Sequence, residues 1–193
     1  MSSADLEHDE EPDDGDERPN AEVEARRRVA LAQIRQYPDA VLRMRANEVD
    51  RFDENLARLA DRMTELMHDA RGVGLAATQV GILQRLVVFQ PHPDDEATAI
   101  VNPEIVARSG EQELADEGCL SLQGVHVPVE RSTGVTLQGL DLEGRPLRLE
   151  LEELSARVAQ HELDHLDGVL IIERTDAASR REALATLRHR PTL

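Results

Sequence analysis

The 193-residue sequence has no tryptophan, one tyrosine (Tyr37) and two phenylalanines (Phe52 and Phe89). Three aromatics cannot build a stacking platform for nucleic-acid bases, so aliphatic side chains must fill the core. Lysine is absent too: all 22 basic residues are arginines, set against 39 acids, for a net charge of −17. That balance lacks the clustered positive charge a free-standing nucleic-acid binder requires and speaks against direct DNA binding. Long apolar runs are also missing. The longest uncharged stretch, Gly72 to Gln84, spans 13 residues, short of the roughly 18 that cross a bilayer. The acidic start carries no apolar core of a secretory signal. A single cysteine, Cys119, excludes an internal disulfide and fits a reducing compartment. The expectation is a cytoplasmic protein with no membrane partner.

The charge that is present is unevenly spread. Residues 1–24 hold eleven acids and one base, Arg18, a net of −10 that leaves −7 for the other 169 residues. A segment with so few large apolar side chains cannot offset its own conformational entropy, so residues 1–24 read as a disordered acidic tail. One domain, residues 25–193, is expected beyond it. Leu56, Leu59, Ala60, Met63, Leu66 and Met67 recur at helical spacing after Asp53, a natural N-cap, and Gly72 is read as the stop. Between about 83 and 150 the pattern shifts to short strands at 86–89, 99–101, 125–129, 134–140 and 146–151, with 141–145 as a hairpin loop. Helical spacing returns from Leu154 to Leu166, and a last helix is read over Ala178 to Arg188. Elements in blocks, not in alternation, predict an α+β domain with antiparallel sheet.

Chemistry concentrates in three segments. His161-Glu162-Leu163-Asp164-His165 is an H-E-x-x-H on a predicted helix. Two histidines four residues apart share one face and suit two imidazoles on one metal ion, and Glu162 stands close enough to exchange protons with its water. The sequence leaves the third ligand open. A metzincin would need a histidine at 171, where Ile171 stands. A gluzincin would use a downstream glutamate such as Glu182, which sits among arginines. The remaining soft donor is Cys119, in Glu117-Gly118-Cys119-Leu120-Ser121, where small residues allow close backbone approach. The third segment, Gly72-Val73-Gly74-Leu75-Ala76-Ala77-Thr78-Gln79, mimics a dinucleotide fingerprint. It follows a helix and precedes a strand, the reverse of that motif's requirement.

Together these segments resemble the three signature motifs of peptide deformylase, the metalloenzyme family that removes the formyl group from nascent bacterial peptides; the likeness covers about residues 34–174. The resemblance implies an α+β fold with antiparallel sheets around the central H-E-x-x-H helix and a C-terminal helix. It implies Cys119, His161 and His165 as metal ligands, with water as the fourth, and Glu162 as general acid and base. Gln79 and the backbone N–H of Leu120 correspond to its oxyanion donors. Val73 and Gly74 correspond to the edge that pairs with the substrate backbone, with Gly118 across from them. The substrates implied are N-formylmethionyl nascent peptides, and the metal is ferrous iron in the cell, with zinc or nickel as substitutes. Thiolate and imidazole donors suit these ions without deciding between them.

Val129-Glu130-Arg131 matches a segment of the family after the cysteine motif, from which Arg131 is expected to pair with Glu117 and hold the Cys119 loop. Gln123 stands where many relatives have proline, and His126 where some have arginine. The C-terminal helix carries Arg180, Arg181 and Arg188, with Arg190 beyond it, and in some relatives such a helix touches the ribosome transiently. Two other readings stand beside the deformylase: an H-E-x-x-H metallopeptidase using Glu182, and an inactive binding paralogue with a vestigial site.

Overall fold

The computed structural model describes residues 21–188. Its helices are α1 (Ala21–Gln33), α2 (Glu54–Asp69), α3 (Glu153–Leu166) and α4 (Ala177–Arg188). The strands are β1 (Gly74–Ala76), β2 (Leu86–Phe89), β3 (Thr98–Arg108), β4 (Gln112–Gly118), β5 (His126–Ser132), β6 (Gly134–Leu140) and β7 (Pro146–Glu152). Five strands form one sheet in the order β1-β2-β3-β6-β7, and β4 pairs with β5 in a separate hairpin. Every one of these pairings is antiparallel. The α+β class expected from the block pattern is the observed one. Of the acidic segment expected over residues 1–24, residues 1–20 lie outside the described residues, while 21–24 open α1. Arg190 also lies outside them.

The sheet is covered on both faces where it matters. Leu86, Val87, Val88 and Phe89 of β2 are all buried. Leu86 and Val88 pack with Leu56, Ala60, Met63, Leu66 and Met67 of α2. Val87 and Phe89 point the other way, into the cluster of Ala156, Val158, Ala159 and Leu163 of α3. Successive strand side chains face opposite sides of a sheet, so a continuous apolar run records cover on both. By contrast β7 alternates, with Leu147, Leu149 and Leu151 against the α3 cluster and its charged residues facing outward. A third cluster, including Val125, Val127, Val129, Leu170, Ile172 and Ala183, fastens the β4–β5 hairpin and α4 to the segment after α3.

Local chemistry sets the ends of the helices that carry the site. The Asp53 carboxylate accepts from the Asn55 and Leu56 amides at 3.0 and 3.3 Å, capping α2. The stop of α2 differs from the glycine expectation. Arg71, not Gly72, takes the left-handed conformation (φ 57°), while the Gly72 amide donates to the Met67 carbonyl at 2.8 Å. Gly72 instead lies against Leu120: a Cβ there would come within 2.7 Å of Leu120 Cδ1, and that side chain would have to shift. At the end of α3, Gly168 does adopt the left-handed conformation (φ 73°).

Two elements escape the sequence pattern. Helix α1 has only Ala30 and Leu31 buried, so it presents no apolar stripe. Strand β4 is acidic and largely exposed, and exists through its register with β5, from Gln112 opposite Ser132 to Gly118 opposite His126. Strand β3 also runs past the expected Val101 to Arg108, through an irregularity at Asn102 (φ 50°), whose amide both accepts from and donates to the Val49 backbone.

Candidate metal centre

Three elements converge on one point. Helix α3 contributes His161, Glu162 and His165; the end of β4 delivers Gly118 and then Cys119; the short helical turn after β1, Ala77–Val80, contributes Gln79. Cys119 Sγ lies 3.2 Å from His165 Nε2. The donor atoms of Cys119, His161 and His165 all lie within 4.8 Å of one another. A tetrahedral ion with bonds of about 2.0–2.3 Å holds its ligands roughly 3.3–3.8 Å apart; the 3.2 Å approach of Cys119 to His165 is close to that range, and a contraction of at most about 1 Å brings the widest pair into it. Glu182, the alternative donor on α4, is exposed and is not part of this group. Ile171, which fills the metzincin position, is a core residue.

Partners outside the donor set orient it. His161 Nδ1 lies 3.0 Å from Glu117 Oε2, an arrangement that fixes the ring and leaves Nε2 for a ligand. Glu117 is itself clamped: Arg131 donates to both its oxygens at 2.9 and 3.0 Å, and Arg157 to Oε1 at 3.0 Å. Arg131 continues to Asp164 Oδ2 at 2.6 Å, and Arg174 donates to both Asp164 oxygens. The Arg131–Glu117 contact is thus present, within a larger network. Arg157, Asp164 and Arg174 were not singled out by sequence reading. The one signal for Asp164 was an acid inside the apolar spacing of α3, where a buried charge calls for a partner.

The electrostatics follow from this packing. Burial opposes ionisation of Glu117, but the hydrogen bonds with His161 and Arg131 outweigh it and hold the carboxyl at about 2. Burial likewise opposes a thiolate at Cys119, yet the adjacent His165 and His161 rings bring the thiol well below its ordinary value. A thiolate is the form that binds metal. For His161, burial disfavours the charged ring, while its contacts with Cys119 and Glu117 prevail and raise it. A divalent cation held by Cys119, His161 and His165 would take the place of that proton. Glu162, 3% exposed, is raised chiefly by burial, and its Oε2 has no hydrogen-bond partner among the described residues.

A cavity of about 550 Å³ opens on these groups, its wall including Val73, Gly74, Gln79, Gly118, Leu120 and Glu162. Gly74 has to be glycine, because a Cβ would run into Glu162 Oε1 and lie 2.9 Å from Val158 Cγ1. Gly118 is pressed by His126, whose Nε2 would sit 2.9 Å from a Cβ. Gln79 accepts from the Ala76 amide at 2.8 Å, and this turns its Nε2 towards Ser121 Oγ (3.2 Å) and Cys119 Sγ (3.8 Å). A larger cleft of about 790 Å³ lies beside the Asp164 network, without any of the three donors.

Known proteins share this arrangement of sequence and fold. The family profile of polypeptide deformylase matches residues 31–181. A peptide deformylase from Desulforudis audaxviator is 41% identical over 154 residues, 80% of this chain and 99% of that protein. One from Thermotoga maritima is 47% identical over 150 residues, 78% of this chain and 90% of its own. The crystal structure of the Thermotoga maritima peptide deformylase superposes with a TM-score of 0.71, at 47% identity, over 74% of this chain and 96% of that one. Arabidopsis thaliana peptide deformylase 1B, crystallised with an inhibitor, gives 0.76 at 40% identity, over 80% of this chain and 89% of that one. Identity at this level, sustained across nearly the full length of the relatives, places the chain in the polypeptide deformylase family.

Proposed function

We propose that this protein is a peptide deformylase, a metal-dependent hydrolase that removes the N-formyl group from the N-terminal methionine of nascent polypeptides and releases formate. One observation carries the reading. A thiol and two imidazoles from separate elements come within 4.8 Å of one another, beside a buried carboxylate with a free oxygen. In this reading residues 25–193 are one catalytic domain. Cys119, His161 and His165 hold a divalent ion, ferrous iron in the cell and zinc or nickel as substitutes. When bound, the ion supplies Lewis-acid chemistry that acidifies water and polarises a carbonyl.

The remaining roles belong to the chain's own residues. β1 is the edge strand of its sheet, so the Val73–Gly74 backbone pairs with an extended peptide by strand addition, with Gly118 across the cavity. Glu162 takes a proton from the attacking water as its oxygen adds to the formyl carbon. Gln79 Nε2 and the Leu120 amide donate to the formyl oxygen as charge gathers there, each donor contributing about 2.7–4 kcal/mol. Glu162 then passes the proton to the departing nitrogen as the C–N bond breaks. Formate and a free N-terminus result. The Glu117–Arg131 pair holds the Cys119 loop and the His161 ring in place. The protein works in the cytoplasm, where formylated chains emerge, and Arg180, Arg181 and Arg188 of α4 give it a basic surface for transient ribosome contact.

Formate release from formyl-Met-Ala-Ser, with anaerobic metal analysis of the same sample, tests the reading. Formate in proportion to bound metal supports it; a fully metal-loaded protein that releases none overturns it. Co-sedimentation with ribosomes, lost when the chain is truncated before Ala177, tests the α4 contact.

A further inference from the structure

Helix α1 is mostly outside the family match, which begins at residue 31, yet it is built into the cavity. Ala30 and Leu31 are buried in the cluster that holds α2 to the sheet. Arg27 and Leu31 line the same cavity as Gly72, Val73, Cys119 and His161. Arg71, the residue that turns the chain out of α2, lines it as well and reaches Glu24 of α1 at 3.1 Å. Arg27 has only a 4.0 Å approach to that same Glu24. Two guanidinium groups of the cavity wall therefore share one carboxylate, Glu24, with Asp116 the exposed acid elsewhere in the same wall.

The donors of Arg27 are not used up. Its Nε is shielded from solvent and has no hydrogen-bond partner among the described residues, although the side chain as a whole is 40% exposed. Arg157, also in the cavity wall, differs: it is spent on Glu117, the Val129 carbonyl and Glu113. Three arginines of the larger cleft are committed in the same way, Arg131 and Arg174 to Asp164 and Arg85 to Asp167. Arg27 is thus a cation in the wall of the active cavity whose Nη groups make no approach closer than that 4.0 Å among the described residues, and the two Nη groups of a planar guanidinium are shaped to take a carboxylate through two parallel hydrogen bonds.

We propose that α1 is an added wall of the substrate cavity, and that Arg27, assisted by Arg71, selects formylmethionyl peptides carrying an aspartate or glutamate at the second or third position. The inference rests on the deformylase reading and extends it to substrate choice. A peptide laid along the Val73–Gly74 edge runs in the cavity that these arginines border, so the side chains after methionine come within their field. Positive charge here also disfavours a lysine at the same positions.

The test compares kcat/KM of the metal-loaded full chain on formyl-Met-Ala-Ser, formyl-Met-Asp-Ser, formyl-Met-Ala-Asp and the matching lysine peptides. The acidic peptide should exceed its lysine counterpart by about three- to fivefold at one position or both, the size of a partly exposed ion pair. That ratio should fall towards one in Arg27→Gln, invert in Arg27→Glu and shrink in 0.5 M salt. Arg71→Gln should reduce it less, and melting curves verify that each variant is folded. An equal ratio in wild type and both Arg27 variants overturns the selection by Arg27, even with rapid formate release. A wild type that prefers lysine overturns it as well. Absence of formate from every peptide is a different result, which removes the deformylase reading and this inference with it.

Discussion

Arg131 and Arg145 make the same contact in opposite surroundings. Arg131 is 6% exposed and bridges Glu117 and Asp164; Arg145 is 71% exposed and bridges Asp141 and Glu143 at the tip of the β6–β7 hairpin. The distances are alike, from 2.6 to 2.9 Å. Their consequences differ because water screens the second set and not the first. The buried set ties the end of β4 to α3, and through Glu117 it reaches the ring of His161. At the hairpin tip the arginine ties a turn that the Asp141 side chain already closes by accepting from the Glu143 and Arg145 amides. A count of ion pairs would treat the two regions as equals; burial separates them.

That contrast can be tested in steps of decreasing size. At the inner face of α3, Glu162→Ala should retain metal and lose turnover by about 10²–10⁴-fold or more, the range of a general acid–base group. Formate release and metal content on one sample check this, and a wild-type rate would remove Glu162 from the mechanism. Next, Arg131→Ala leaves Glu117 and Asp164 short of a buried counter-charge and should cost about 3–5 kcal/mol in urea unfolding. A loss below about 1 kcal/mol would mean that the interior network is no stronger than a surface one.

The half-exposed Arg43–Glu173 pair, at 2.6 Å, is an intermediate case. Burial opposes ionisation of Glu173, but the hydrogen bond from Arg43 prevails and lowers it from the ordinary 4.5. A lowered carboxyl stabilises the fold above its unfolded value and loses that contribution as acid protonates it. Arg43→Ala should therefore cost under about 1 kcal/mol near neutrality and flatten the fall in stability below pH 4.5. Smallest of all, Arg145→Ala should leave the melting temperature within measurement error. A clear drop there would break the contrast from the other side.

Much of the molecule was legible beforehand. The α2 stripe, the H-E-x-x-H helix and the 141–145 hairpin all follow from local periodicity and turn chemistry, which short-range sterics impose wherever the segment lies. The elements that were not legible owe their form to partners distant in sequence. β4 is a strand because β5 pairs with it along seven residues, and α1 is anchored by only two buried residues against α2. Gly72 invited a helix-stop reading, while in the structure it lies against Leu120. The difference lies 48 positions away in the chain, beyond the reach of any window.

The sequence by itself determined which atoms are available for chemistry: one thiol, two imidazoles a helical turn apart and a carboxylate beside them. It also determined that α3 would present the imidazoles together, since helix pitch alone does that. Only the tertiary structure decided that the thiol, 42 residues upstream of His161, comes within 3.2 Å of His165 Nε2, and that Glu182 does not. It alone placed Asp164 and Arg174 around Arg131 and set Arg27 and Leu31 of α1 in the cavity wall. The reason is that a repeat along the chain encodes which way a side chain points, whereas a meeting between elements depends on how their buried faces pack.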